Sequence, residues 1–250
     1  MSPASVFGST AILLGLIALS PISALACDGP KELRDTTPTS IQQMLPRQGK
    51  EVLTFMGYSG VGYESPQAMK RQALDVLVGK DPRQTVINIG ATAEGIGAVY
   101  ELAKQRGFTT IGIVSSLARE QKASLSSCVD IVYFVKDSSW GGKNPSTHQL
   151  SPTSTAIVDN SDVFVAIGGG DVARDEVLAA RQAGKPVLFF PADMNHQIAR
   201  EKARKAGISP PPRISADRCT KPCRLNNCRS AFDNTSKAYG SAATPTGPVG

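Results

Sequence analysis

Short runs of β-branched and other apolar residues recur along the middle of this 250-residue chain and constrain its fold more than any other feature. Most runs are followed by a segment with helical spacing of apolar residues. Apolar runs that alternate with helices are typical of parallel strands covered on both faces. The sequence therefore predicts an α/β fold with a doubly wound parallel sheet of about six strands. The predicted strands span residues 52–56, 85–89, 110–114, 129–135, 163–167 and 186–190.

The ends of the predicted helices are marked by residues that favour helix termini. Ser65 and Pro66 provide an N-cap and a proline at the first helical position. Gly107, Gly184 and Gly207 each follow a helical segment, where glycine can adopt the left-handed conformation that ends a helix. The alternating order predicts a Rossmann-like domain, and ligands in such domains bind at the carboxyl ends of the strands.

Glycine-rich loops follow the first, second and fifth predicted strands. Glycine lets a phosphate approach the backbone closely, and a helix that follows offers free N–H groups. Three such loops at one sheet edge predict an anionic ligand, although tight turns alone remain an alternative. The spacing fits neither the dinucleotide motif nor the P-loop, and we predict no cofactor and no metal. The predicted ligand-binding residues in these loops are Gly57, Ser59, Gly60, Gly90, Thr92, Gly95, Gly97, Gly168, Gly169, Gly170 and Asp171.

Three sequence blocks occur in a recognisable order. Residues 55–60 read FMGYSG, residues 89–97 read IGATAEGIG before a TIGIV strand, and residues 161–170 read SDVFVAIGGG. These blocks resemble the C-G-S-S, the G-G-G…G-L-M-G and the P-G-G-x-G-T-x-x-E motifs of the SLOG superfamily. That superfamily includes the LONELY GUY-type phosphoribohydrolases. The resemblance covers about residues 50–207 and implies a Rossmannoid domain with a nucleotide-shaped pocket.

Carrying the family motif over residue by residue places Glu176 on the catalytic glutamate of the phosphoribohydrolases. Val172 and Ala173 replace the phosphate-binding Gly-Thr pair, and Thr153 and Ser154 stand where the family has Arg-Lys. Because that arginine acts with the glutamate, the resemblance does not imply hydrolase activity here. It implies a nucleotide pocket with an altered lining.

Several candidate residues have a second interpretation. Glu176 is either a functional acid or a charge favoured at a helix start. Asp171 binds a ribose hydroxyl or caps the helix. Thr153 and Ser154 donate hydrogen bonds to a phosphate or begin a short helix. Trp140, the single tryptophan of the chain, stacks on a base or pins its loop to the core.

The first 26 residues predict an export segment. An apolar run at residues 11–19 precedes Ala24-Leu25-Ala26, a small-x-small cleavage signal. Cys27 follows, in a stretch that loosely resembles a lipobox, so Cys27 is a predicted lipidation site. No lysine or arginine occurs before Lys31, and an uncleaved anchor is the alternative. The sequence thus predicts a periplasmic protein or a membrane-anchored lipoprotein.

The predicted domain organisation places a linker and a tail around the Rossmannoid domain. Residues 27–49 are polar and proline-containing and are predicted to be a linker, and residues 208–250 are predicted to be a loosely ordered tail. Cys219, Cys223 and Cys228 favour a disulfide within the tail over a metal site. Cys128 is predicted to be simply buried.

The amino-acid composition bears on the expected partners of the chain. Aromatic residues make up 6% and the basic residues are scattered, so we expect no nucleic-acid partner despite a net charge of +6. The leading prediction is an exported module that binds a nucleotide or a nucleotide-derived ligand. The alternatives are an N-glycosidic hydrolase of nucleoside 5′-monophosphates and a non-catalytic envelope structural protein. The sequence leaves open whether the chain is an enzyme and allows a homo-oligomer.

Overall fold

A computed structural model describes residues 27–44 and 49–209 and contains one parallel sheet. Its strands are β1 Glu32–Thr36, β2 Glu51–Gly57, β3 Thr85–Asn88, β4 Thr109–Ser115, β5 Ile131–Val135, β6 Val163–Ile167 and β7 Val187–Phe190. They lie in the order β1-β5-β4-β3-β2-β6-β7. The predicted α/β class and parallel sheet are confirmed, and the described residues form seven strands where the sequence predicted about six.

The helices begin and end where local sequence favours it. Ser65 accepts a hydrogen bond from the Ala68 amide at the start of one helix, and Gly207 ends the last helix with a φ of 67°. The helices are α1 Ile41–Met44, α2 Pro66–Val78, α3 Val99–Gln105, α4 Leu117–Glu120, α5 Pro152–Asn160, α6 Asp171–Gln182 and α7 His196–Ala206. A 3₁₀ turn at Gly95–Ala98 precedes α3. None of the helices in the described residues is both long and apolar enough to span a bilayer.

The additional strand is β1, which lies inside the predicted linker. It pairs in parallel with β5, from Glu32 opposite Ile131 to Thr36 opposite Val135. The linker prediction for residues 27–49 is therefore wrong for this strand and for the short helix α1. An edge strand has one free edge and here exposes most of its side chains, including Leu33, so it lacks the apolar run that marks a central strand.

A disulfide joins Cys27 to Cys128, which is 101 residues further along the chain. A sulfur atom in a disulfide cannot carry a thioether-linked lipid, so this bond is incompatible with the lipidation predicted at Cys27. Cys128 is buried, as predicted, but it is also bonded. The export segment, the tail beyond residue 209 and its three cysteines lie outside the described residues.

Two apolar clusters cover the two faces of the sheet. Strand residues alternate between them, so that Leu53 and Phe55 belong to the cluster under α2 and α3, whereas Val52 and Met56 belong to the cluster under α5 and α6. The chain runs outward from β2 through β3, β4 and β5 and then returns to place β6 beside β2. The direction of winding reverses between β2 and β6, and a crevice opens at their carboxyl ends.

Candidate functional site

A cleft of about 660 Å³ lies at the carboxyl ends of β2, β3, β4 and β6. A cavity of this size accommodates a drug-sized ligand. The structure brings most of the predicted site residues to its wall, although they come from three loops and two helices. The predicted residues that line it are Gly57, Ser59, Gly60, Gly90, Thr92, Thr153, Gly169, Gly170, Asp171 and Glu176.

Four predicted residues, Gly95, Gly97, Gly168 and Ser154, do not line the cleft. Gly95 has a φ of 59°, and a Cβ atom there would overlap the carbonyl oxygens of Tyr58 and Ser59. The next amide, that of Ile96, donates a hydrogen bond of 2.8 Å to the Tyr58 oxygen. Gly95 therefore lets two loops pack closely, which agrees with the tight-turn alternative and not with phosphate contact.

Two buried tyrosine hydroxyls, which the sequence pattern did not single out, hold the floor of the cleft. The Tyr100 hydroxyl accepts hydrogen bonds from the amides of Ile89 and Ala91 and donates one of 2.6 Å to the Ile111 oxygen. It joins the end of β3 to β4. Burial raises the pKa of Tyr100, so the hydroxyl keeps its proton.

The second hydroxyl, that of Tyr63, joins β2 to β6. It accepts a hydrogen bond of 3.1 Å from the Tyr58 amide and donates one of 2.8 Å to the Ile167 oxygen. A side chain at Gly57 would occupy the position of this hydroxyl. Gly57 thus borders the cleft but is required for the packing of Tyr63. The only sequence signal for either tyrosine was its place beside a glycine-rich loop.

Glu176 is the buried acid of the cleft. It lies in the second turn of α6 with 3% of its surface exposed, and it accepts a hydrogen bond of 2.6 Å from the Ser154 hydroxyl. The pKa of Glu176 is raised to about 8, mainly by burial and to a smaller extent by Asp175, against the opposing effect of the Ser154 hydrogen bond. The carboxyl group is therefore protonated at neutral pH in the free protein.

Thr153 and Ser154 have different roles from those predicted. Ser154 does not line the cleft, and its oxygen also accepts a hydrogen bond of 2.7 Å from the Gly142 amide. It therefore holds Glu176 and the loop that precedes α5 in place. Thr153 lines the cleft, and its amide donates to a carboxylate oxygen of Asp137 at 2.9 Å. The alternative that both residues begin a short helix is correct, because they lie in the first turn of α5.

Three charged side chains at the start of α6 form an ion-pair cluster. Gly170 is the N-cap, so Asp171 is the first helical residue and does not cap the helix. Arg174 pairs with Asp171 at 2.8 Å and with Asp175 at 3.1 Å. Burial raises the pKa of Asp171, an effect that Arg174 opposes and Asp175 reinforces. The arginine is thus engaged by two carboxylates.

Trp140 lies in the segment 136–151 between β5 and α5, which we call the Trp140 loop. Backbone contacts anchor this loop to α6, because the Lys143 amide donates to Asp175 at 3.0 Å. The indole is 49% exposed and lines the cleft. It therefore does not pin the loop to the core, and its surface is free to contact a ligand.

Lys202, on α7, is the one lysine or arginine of the described residues that lines the cleft. Its ammonium lies over Gly60, where a Cβ atom would be 2.8 Å from Nζ. Within residues 27–44 and 49–209, no carboxylate oxygen lies within 4.0 Å of this nitrogen. Lys202 is not among the residues that the sequence predicted for the site, because no local pattern shows that α7 reaches the loop after β2.

The raised pKa of Glu176 predicts a pH-dependent stability. The folded chain holds this proton at pH values where the unfolded chain releases it, so the free energy of unfolding falls as the pH rises from about 4.5 to about 8. The contribution of one such group is about 1.4 kcal/mol per pH unit within that window. Glu176→Gln retains an oxygen that can accept the Ser154 hydrogen bond but has no titrating proton, so its stability should depend less on pH.

Urea unfolding of both chains at several pH values in this window measures the difference. We expect the wild-type chain to lose stability relative to Glu176→Gln as the pH rises. Parallel loss in the two chains would show that Glu176 is already ionised in the folded protein at neutral pH.

The three SLOG-like sequence blocks occupy corresponding places in the sheet. The first runs from β2 into its loop, the second runs from the end of β3 to β4, and the third contains β6 and its glycines. All of them meet at the carboxyl edge, where the resemblance predicts a pocket. The SLOG resemblance thus fits the observed Rossmannoid fold.

Comparisons with known proteins reveal similar folds among solved structures. Neither a protein-family model nor a curated protein matches the chain. The molybdenum cofactor binding protein from Rippkaea orientalis is 22% identical with a TM-score of 0.44, and the match covers 63% of this chain and 85% of that one. The Moco carrier protein from Chlamydomonas reinhardtii is 20% identical with a TM-score of 0.41, over 62% and 84% of the two chains. The structural-genomics target TM1055 is 19% identical with a TM-score of 0.41, over 55% and 72%.

Proposed function

We propose that the chain binds a nucleotide or a nucleotide-derived ligand in the cleft at the carboxyl ends of β2, β3, β4 and β6. The observation that carries this proposal is the half-exposed indole of Trp140 at the wall of a cleft of about 660 Å³. An exposed aromatic ring beside a concave site is suited to stack on a base. The topological switch between β2 and β6 supports the same position for a ligand.

Because Trp140 is the only tryptophan of the chain, tryptophan fluorescence reports on the cleft alone. Nucleoside mono- and diphosphates and dinucleotides should quench or shift this fluorescence, with at least one dissociation constant below millimolar. Calorimetry of Trp140→Ala should show affinity reduced by roughly 5- to 150-fold, since base–aromatic stacking contributes about 1–3 kcal/mol per base.

Leu178→Ala is the matched control, because Leu178 is a similarly exposed apolar residue that does not line the cleft. Its affinity should equal that of the wild-type chain. If no nucleotide binds, or if Trp140→Ala binds as tightly as the wild type, the proposed site is wrong. If no nucleotide of the panel binds, the envelope structural protein is the better interpretation.

The hydrolase alternative has less support in the site. An N-glycosidic hydrolase needs an ionised carboxylate for the oxocarbenium-like transition state and a cation for the 5′-phosphate. Glu176 is protonated at neutral pH, and Arg174 is engaged by Asp171 and Asp175. Lys202, the one lysine or arginine of the described residues that lines the cleft, belongs to α7 and not to the helix that carries the family's Arg-Lys position. The family's Arg-Lys pair is replaced by Thr153 and the buried Ser154.

We therefore expect no release of adenine from AMP above the rate of a buffer control at neutral pH. Chromatographic detection of free adenine checks this, with Glu176→Ala as the second sample. Turnover by the wild-type chain that disappears in Glu176→Ala would instead establish the hydrolase. Equal traces in both samples would indicate a contaminating activity.

We also propose that residues 1–26 are removed during export and that the domain resides in an oxidising compartment. The disulfide between Cys27 and Cys128 supports this location, because structural disulfides persist where thiols are not kept reduced. Cleavage after Ala26 would make Cys27 the first residue of the exported chain. The disulfide would then attach the new N-terminus to the body of the protein.

Mass spectrometry of the native protein, digested without reduction, should find a peptide that begins at Cys27 joined to the Cys128 peptide. The expected mass is two hydrogens below the sum of the separate peptides, because each thiol loses one hydrogen when the bond forms. Cys128→Ser should abolish the cross-linked peptide and leave Cys27 unpaired. Acylation of Cys27 would contradict the proposal. So would an intact Met1 on a chain in which Cys27 and Cys128 are free thiols.

A further inference from the structure

We propose that two walls of the cleft carry opposite charges. An anionic group of the ligand binds Lys202 at one wall, while an N–H-bearing edge of the ligand's ring faces Asp171 at the other. The inference rests on the proposed nucleotide function and adds the orientation and the class of the ligand. It also places the anion away from the start of α6. The glycine-rich loop and the helix N-terminus by themselves would favour an anion at that position.

The start of α6 repels an anion in this chain. Asp171 and Asp175 carry two negative charges against the single positive charge of Arg174. The N-terminal dipole of a helix is equivalent to roughly half a positive charge, and a surplus carboxylate in the first turn largely cancels its attraction for a phosphate. Asp171 lines the cleft and is partly exposed, so a phosphate placed at Gly170 would lie close to a carboxylate.

Lys202 offers the complementary charge at a different wall of the cleft. Its Nζ lies over Gly60 in the loop after β2, and a side chain at residue 60 would displace it. Glu94 is the nearest acid on this wall, with Oε2 3.5 Å from the same Cβ position of Gly60. No oxygen of Glu94 comes within 4.0 Å of Nζ, so the ammonium has no ion-pair partner among the described residues.

A ligand that contacts both walls needs an anionic group at one end and a hydrogen-bond donor at the other. A carboxylate accepts hydrogen bonds from amino and imino groups but not from carbonyl oxygens. An amino-bearing heterocycle with a phosphate, such as adenine in AMP, meets both requirements and can stack on Trp140. Purine riboside 5′-monophosphate has neither the amino group nor a ring N–H at this edge, so it should bind more weakly than AMP.

The first experiment separates the phosphate from the ring. AMP and adenosine are titrated calorimetrically into the wild-type chain, Lys202→Gln and Lys205→Gln. Lys205 lies on the same helix, is exposed and does not line the cleft, so it is the matched control. We expect Lys202→Gln to weaken AMP binding about tenfold or more, the loss of a charge-assisted hydrogen bond, and to leave adenosine binding unchanged.

Equal effects of Lys202→Gln on AMP and adenosine, or no effect on AMP, would overturn the assignment of Lys202. Glu94→Gln provides an independent check, because removing the neighbouring negative charge should tighten AMP binding and leave adenosine binding the same. An unchanged AMP affinity in Glu94→Gln together with an unchanged affinity in Lys202→Gln would place the phosphate elsewhere.

The second experiment tests the ring. The ratio of the affinities for AMP and purine riboside 5′-monophosphate is measured for the wild-type chain and for Asp171→Ala. We expect a preference for AMP of at least fivefold in the wild type that falls to within twofold in the variant. A preference that persists in Asp171→Ala, or its absence in the wild type, would contradict the orientation. Failure of AMP to bind the wild type overturns this inference, and only failure of the whole nucleotide panel overturns the proposed function.

Discussion

Two buried phenol groups hold the backbone at the carboxyl edge of the sheet, and the geometry of the cleft depends on them. The Tyr100 hydroxyl uses both its acceptor sites and its single proton between β3 and β4, and the Tyr63 hydroxyl connects the β2 loop to the end of β6. Loss of either hydroxyl would leave buried amides or carbonyls without partners, which costs about 1–3 kcal/mol for each group. The floor is therefore rigid while the wall that carries Trp140 is formed by a loop.

The interior of the cleft shows how a change of two side chains alters the chemistry that one fold supports. The glutamate that the SLOG resemblance assigns to catalysis is retained as Glu176, but the family's Arg-Lys pair falls on Thr153 and Ser154. The Ser154 hydroxyl is the hydrogen-bond partner of Glu176. Without a neighbouring cation, burial decides the charge of the acid and keeps it neutral. A neutral acid can donate a hydrogen bond to a ligand but cannot stabilise a developing positive charge. The recognition role that we propose therefore differs from the catalysis that the resemblance implies for the family, while the fold class is the same.

Much of the architecture could be predicted because it depends on local pattern. Each of the six predicted strands overlaps an observed strand, since a buried parallel strand must be apolar on both faces. The edge strand β1 escaped prediction because solvent covers most of its side chains. The glycine-rich loops were predicted correctly as the border of a cleft, but their individual roles were not. Gly57 and Gly95 serve backbone packing, whereas Gly60 and Gly170 border open space or a flexible side chain.

Sequence pattern alone was enough to predict the fold class, the chain order of the six apolar strands and the sheet edge at which the cleft opens, because these follow from short-range periodicity and from the known winding of parallel sheets. The tertiary structure decided the partners across the sheet. Ser154 meets Glu176 over 22 residues, Cys27 meets Cys128 over 101 residues, and Lys202 reaches Gly60 from the last helix. Such contacts depend on which strands become neighbours and on how the helices pack against them, and no local pattern encodes that arrangement.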